Sequence, residues 1–279
     1  MKITIPGREP AFAYTANHDL SGDAPVIVFI HGAQNDHCVW ALQSRYFAYH
    51  GYRVMALDLP GHGASAGDAL RDIGTLADWI AAVLQATGID SATLVGHSMG
   101  SLIALECAAR HPARVERIVL VGNAVPMAVS DLLLDAATTD VNRAIDMIAN
   151  WSHSGLGHWP GPGFSMFMMA KRLMQRQPAQ SLFTDLKACN DYHHGLDAAA
   201  VLHSPALLVS GAADQMTPAR AARSIHSALS ERALTLGLPA PRHVTLAGCG
   251  HNIMAEKPDE LVALLREFLA APMATASPA

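Results

Sequence analysis

The chain has 279 residues, 51% hydrophobic and only 15% charged, with a net charge of −5. That length suits one large α/β domain or one domain with an insertion, and the apolar content is enough for a sizeable core. Acids and bases are interspersed without a basic block, which argues against a nucleic-acid partner or an acidic-membrane footprint.

In chain order, MKITIPGREPAF places Pro6 and Gly7 where a signal peptide needs an apolar core. KITI and FAYT read as an antiparallel edge hairpin. Short apolar runs then alternate with helical patterns. The runs are VIVFI (26–30), RVMAL (53–57), ATLVG (92–96), RIVLV (117–121), ALLVS (206–210) and HVTLA (243–247). The helical patterns lie near 38–50, 72–87, 99–110, 215–230 and 258–270. Near-continuous apolar strands separated by helices predict a parallel sheet covered on both faces. The rhythm breaks between Gly122 and Ser204, a stretch of roughly eighty residues with helical fragments only, too long for a bare connection. The chain therefore divides into an α/β core, 1–122 and 205–279, and a helical insertion, 123–204, after the sixth strand.

No stretch reads as a membrane span, because the longest uncharged run, Met147 to Ala170, is broken by glycines and prolines. Cys38, Cys107, Cys189 and Cys249 show no paired spacing and read as reduced thiols of a cytoplasmic protein. The ending APMATASPA reads as a frayed tail. GHGASA (61–66) satisfies a relaxed dinucleotide fingerprint. However, Gly67 and Asp68 block a helix from starting there, so a phosphate would find no helix N-terminus.

The chemistry concentrates in ATLVGHSMGSLIALECAAR (92–110). A strand runs through Gly96-His97-Ser98-Met99-Gly100 straight into a helix. Gly96 and Gly100 allow a close strand–helix approach, and the positive helix end faces charge developing at Ser98. This G-x-S-x-G elbow resembles that of the α/β-hydrolase family, and the resemblance extends over nearly the whole chain. It implies an α/β-hydrolase fold: a mostly parallel sheet flanked by helices, with a helical cap inserted after the sixth strand. VIVFIHGAQNDHCVW resembles the family's oxyanion loop, so the resemblance makes Ala33 and Met99 the backbone donors; Gln34 replaces Ala33 if the loop register differs. ALDLPGHGASAG resembles a structural turn of the family. In ALLVSGAADQMTP, Asp214 stands where the family places its acid, with Asp185, Asp191 and Asp197 as competitors that follow no strand. In VTLAGCGHNIMAEKPDEL, His251 follows the last strand. The order Ser98, Asp214, His251 matches the family's nucleophile, acid and base.

Other readings stand beside these. Asp214 also suits a helix N-cap. His97 reads as a packed elbow residue, His31 as a shaper of the loop with Gly32, and Cys249 as inert. The remaining histidines, among them His153, His158 and the His193–His194 pair, make no metal-ligand spacing, and no cofactor is implied. The insertion is rich in methionine and aromatic residues, which adapt to varied apolar shapes. Lys171, Arg172 and Arg176 are candidates to receive an anionic tail, and 155–163 is a candidate hinge. The expected partner is a small molecule with an apolar portion, without membrane insertion; a homodimer remains open. The resemblance implies a serine hydrolase acting on a carboxylic ester. Carbon–carbon, thioester or lactone hydrolysis and perhydrolysis are alternatives, and a non-catalytic receptor is the least favoured.

Overall fold

The computed structural model describes residues 1–155 and 165–271. The strands are β1 (Lys2–Ile3), β2 (Ala11–Tyr14), β3 (Val26–Ile30), β4 (Arg53–Asp58), β5 (Ala92–His97), β6 (Val115–Val121), β7 (Ala206–Gly211) and β8 (Arg242–Leu246). They form one sheet in the order β1-β2-β4-β3-β5-β6-β7-β8. β1 and β2 form an antiparallel pair, β2 runs antiparallel to β4, and β3 through β8 are parallel.

Helices α1 (Ala41–Tyr49), α2 (Ile73–Ala86) and α3 (Met99–Arg110) lie between the early strands. After β6 come α4 (Asp131–Thr139), α5 (Val141–Ser152), α6 (Met166–Gln175), α7 (Ala179–Asp191) and α8 (Gly195–Ala200). Helices α9 (Arg223–Leu236), α10 (Ile253–Glu256) and α11 (Pro258–Ala270) complete the described chain.

Side chains of a strand alternate between faces, and β3 shows the consequence. Val26, Val28 and Ile30 join the core that holds Leu76, Leu102 and Ile225 of α2, α3 and α9. Ile27 and Phe29 join the opposite core, with Phe47 of α1 and Leu261 of α11. Phe29 packs at 5.1 Å from Trp40 and 6.4 Å from Phe47, ring to ring. Both faces are covered, which is why these strands read as continuous apolar runs.

The helix expected over 215–230 begins later. α9 starts at Arg223, preceded by one 3₁₀ turn, Ala219–Ala222. Pro218 lacks an N–H and disfavours helical geometry at Thr217, which leaves 212–218 as a loop.

The segment between β6 and β7 is not uniform. α4 to α7 build their own small core around Leu133, Ile145, Met174, Leu182 and Leu186. α8 instead packs on α3 and α9, with Ala198 and Ala199 buried in the main core. The stretch read as a hinge, 155–163, lies outside the described residues from 156 onward, with His158 and Trp159; Phe164 and the terminal tail beyond Ala271 also lie outside them. Among the described residues no helix is long and apolar enough to cross a membrane.

Candidate active site

β5 ends at His97 and α3 begins at Met99, so Ser98 alone turns the chain, at φ 53° and ψ −119°. A non-glycine residue at positive φ stores strain of about 1–3 kcal/mol, and it persists only where its surroundings enforce it. The enforcement is visible. A Cβ on Gly96 would lie 2.0 Å from the Gly100 carbonyl oxygen, and one on Gly100 would lie 2.3 Å from the Ile30 carbonyl oxygen. The Ser98 N–H donates to the Val121 carbonyl at 2.8 Å, tying the elbow to β6. The Ser98 hydroxyl makes no capping bond to α3.

The loops after β7 and β8 bring Asp214 and His251 together. His251 Nδ1 donates to Asp214 Oδ2 at 2.8 Å, with both side chains almost wholly buried. Asp214 Oδ1 accepts from the Met216 and Thr217 N–H groups, each at 2.8 Å, and Oδ2 accepts from the Thr217 hydroxyl at 2.8 Å. Burial opposes ionisation of Asp214, but the charge and hydrogen bond of His251 and the bonds from Thr217 outweigh it, lowering its pKa to about 2. Asp214 thus caps a turn, nine residues ahead of α9, and not that helix. The His251 N–H donates to the Ser152 carbonyl at 2.7 Å, so the end of α5 also fixes the histidine loop. Gly122, at φ +60°, faces the ring; a Cβ there would lie 3.0 Å from His251 Cε1. Sequence reading did not assign Thr217, Ser152 or Gly122. The D-x-x-T spacing at 214–217 carried a signal for the first, whereas the others act through backbone and proximity.

His97 is buried and donates Nε2–H to the His251 carbonyl at 3.0 Å. Burial, then the His251 charge, push its pKa down to about 3, so it is neutral. Ser98 and His251 line one cavity. Among the described residues, neither Ser98 Oγ nor His251 Nε2 has a hydrogen-bond partner.

Gly32 lies against the elbow, where an added Cβ would sit 3.1 Å from Ser98 Cβ. His31 Nδ1–H donates to the Gly32 carbonyl at 2.8 Å, and its Nε2 accepts the Leu59 N–H at 3.1 Å. The Gln34 N–H donates to Asp185 at 2.8 Å. Gln34 is thereby removed as the alternative donor, whereas the N–H groups of Ala33 and Met99 have no partner among the described residues.

The cavity has a volume of about 210 Å³. Met127, Val129, Leu133, Ile148 and Met174 form its apolar wall, and Asn35, Ser130 and Gln215 add neutral polar groups. No Lys, Arg, Asp or Glu lines it among the described residues. Lys171 pairs with Asp146 and Arg176 with Asp36, and none of Lys171, Arg172 and Arg176 lines the cavity, although Arg172 and Arg176 line a neighbouring pocket that shares Asn35, Ala170 and Asn252 with it. Cys249 is buried, which pushes its thiol pKa up to about 12. One group of potential metal ligands appears among the described residues: Asp36, His37 and Cys38, whose donor atoms lie within 4.8 Å of one another. Two of them are engaged elsewhere, Asp36 with Arg176 and His37 with Asp58.

Sheet order and elbow define the class, a protein with the α/β-hydrolase fold. A family model described as alpha/beta hydrolase fold matches residues 25–151. The chain is similar to a 2-hydroxy-6-oxononadienedioate/2-hydroxy-6-oxononatrienedioate hydrolase of Paraburkholderia phymatum, 27% identical over 272 residues, spanning 90% of this chain and 89% of that one. It is also similar to the pimeloyl-[acyl-carrier protein] methyl ester esterase of Aromatoleum aromaticum, 26% identical over 265 residues, spanning 88% and 98%. Among solved structures, the enol-lactonase from Burkholderia xenovorans LB400 superposes with a TM-score of 0.84 over 97% of this chain and 100% of that one, at 21% identity.

Proposed function

We propose that the protein is a serine hydrolase that cleaves an uncharged carboxylic ester with a small, apolar acyl portion, through an acyl-enzyme. One observation carries this reading. The strained Ser98, two unspent N–H groups and the His251–Asp214 pair meet at a cavity lined by no Lys, Arg, Asp or Glu among the described residues. Helices α4 to α7 serve as the cap. The cavity's volume of about 210 Å³ is below the roughly 300–1,000 Å³ of drug-sized sites, which favours a short acyl chain.

Each residue then has one task. Asp214 holds the Nδ1–H tautomer of His251, leaving Nε2 as the base. His251 takes the Ser98 proton as the oxygen attacks the ester carbonyl, and the N–H groups of Ala33 and Met99 receive the oxyanion. His251 returns the proton to the departing alcohol and next activates water to release the acid. The apolar wall lowers the local dielectric and so strengthens these electrostatic contacts.

A second reading, carbon–carbon bond hydrolysis, is favoured by the likeness to the dioate hydrolase. Two carboxylates would need cationic partners. The cavity offers no Lys or Arg among the described residues, and 156–164 (LGHWPGPGF) has none to contribute. The test is a panel of p-nitrophenyl esters, thioesters, lactones and a meta-cleavage diketone, run on wild type and Ser98→Ala together with fluorophosphonate labelling. Ester turnover and labelling are expected in wild type and absent in the folded variant. Diketone cleavage in place of ester turnover, or an active Ser98→Ala, overturns the reading.

A further inference from the structure

A second carboxylate–imidazole pair lies buried beside the oxyanion loop. Asp185 of α7 is 1% exposed. Its Oδ2 accepts from His62 Nε2 at 2.9 Å and from the Gln34 N–H at 2.8 Å. His62 Nδ1 faces the Pro60 carbonyl at 3.0 Å. Both of its ring nitrogens meet acceptors, so both carry protons and the ring is a cation. Burial opposes that charge, but the charge and hydrogen bond of Asp185 outweigh it and raise the His62 pKa. His31 stands 5.1 Å away, ring to ring, and stays neutral: burial, then the His62 charge, push its pKa down to about 4.

The loop between these groups has little slack. Gln34 sits at φ 55°, which non-glycine residues seldom adopt. Its side-chain amide donates to the Met174 and Pro178 carbonyls at 3.3 Å and 3.1 Å, so the residue is pinned at three points to chain from 174 to 185. On the other side, the Gly32 carbonyl held by His31 belongs to the same peptide unit as the Ala33 N–H. Asp185 thus fixes the peptide after Ala33, and the neutral His31, kept in its tautomer beside His62, fixes the peptide before it.

We propose that Asp185, with His62, is a positioning residue that aims the Ala33 N–H at the substrate oxyanion, so the helical segment between β6 and β7 helps build the reaction centre as well as covering it. This rests on the reading of Ala33 as an oxyanion donor. A pair serving only to hold α7 down would set stability; a positioning pair sets transition-state binding. In Asp185→Asn, the amide oxygen can take the place of Oδ2 and accept both hydrogen bonds, whereas Asp185→Ala removes them.

The experiment measures kcat and KM for p-nitrophenyl butyrate per Ser98 titrated with fluorophosphonate, and Ki for a trifluoromethyl ketone relative to its methyl ketone. Melting temperatures are recorded alongside. Asp185→Ala is expected to lose about 10- to 100-fold in kcat with KM within about threefold, and to lose affinity for the trifluoromethyl ketone in parallel, because one oxyanion donor is misplaced. Asp185→Asn is expected to recover most of both. If Asp185→Ala folds and keeps kcat and the Ki ratio within about threefold of wild type, the proposal is overturned, even if its melting temperature falls. Should Asp185→Ala fail to fold, Asp185→Leu, which keeps the volume but also removes both acceptors, carries the same expectation, and an unchanged Ki ratio there overturns it. Wild type that is not labelled at Ser98 would instead sink the serine-hydrolase reading, and the proposal with it; labelled wild type isolates the role of Asp185.

Discussion

Replacing Asp214 by asparagine isolates the part of the site that depends on charge and proton position. The carboxylate receives four hydrogen bonds: Met216 and Thr217 N–H at Oδ1, and the Thr217 hydroxyl and His251 Nδ1 at Oδ2, all at 2.8 Å. An amide keeps the two backbone bonds only with its oxygen at the Oδ1 position, since the reverse orientation would set its NH₂ against two N–H donors. The NH₂ then faces Thr217, whose hydroxyl can turn to accept, and His251 Nδ1, which must give up its proton to accept. The proton moves to Nε2, the atom that the proposed mechanism needs to receive the Ser98 proton, so on that mechanism the base is blocked by its own tautomer. A loss of about 10³–10⁴ in kcat follows, about 4–5.5 kcal/mol at 1.36 kcal/mol per tenfold. KM should move little, because Asp214 does not line the cavity. The assay is p-nitrophenyl ester turnover from pH 6 to 9, with circular dichroism and thermal melting as fold controls. A folded Asp214→Asn within tenfold of wild type would refute the tautomer argument and move the acid's role to another group.

Two other perturbations test the surrounding scaffold. Gly122→Ala puts a Cβ 3.0 Å from His251 Cε1 and 3.1 Å from Nδ1 at a φ of +60°. The backbone strain costs about 1–2 kcal/mol, a melting-temperature loss of a few degrees, and the displaced ring should lower kcat by tenfold or more; unchanged kcat would mean that the ring has room to spare. His37 tests pH linkage. Burial opposes its charge, but the hydrogen bonds and charges of Asp58 and Cys38 outweigh it, raising its pKa from 6.5 to about 10. Its protonation therefore stabilises the fold fully below pH 6.5, and that contribution is lost as pH rises from 6.5 towards 10. Urea unfolding of wild type and His37→Gln should show a stability gap that is largest near pH 6 and smaller at pH 9.5. A pH-independent gap would rule out the ionic pair.

Sequence and structure divide the site along a physical line. The elbow is legible in GHSMG because its requirements are local: glycine spacing, a strand before and a helix after. The parallel strands are legible because burial on both faces leaves continuous apolar runs. The late start of α9 was missed because helical periodicity outweighed the effect of Pro218 on its neighbour, which only the folded loop makes plain. Asp185, read as a competitor of Asp214 for the acid position, meets His62 and Gln34 across more than 120 residues of chain, a contact that periodicity and spacing do not encode.

By itself the sequence determined the alternation of strand and helix, the cramped serine between two glycines, and the chain order of serine, acid and histidine. Those features arise from backbone stereochemistry and local burial, which act over a few residues. Only the tertiary structure decided which N–H groups remain unspent, which imidazoles meet carboxylates, and that no Lys, Arg, Asp or Glu lines the cavity among the described residues. Those properties arise from hydrogen bonding and desolvation between groups that meet only when the chain is folded.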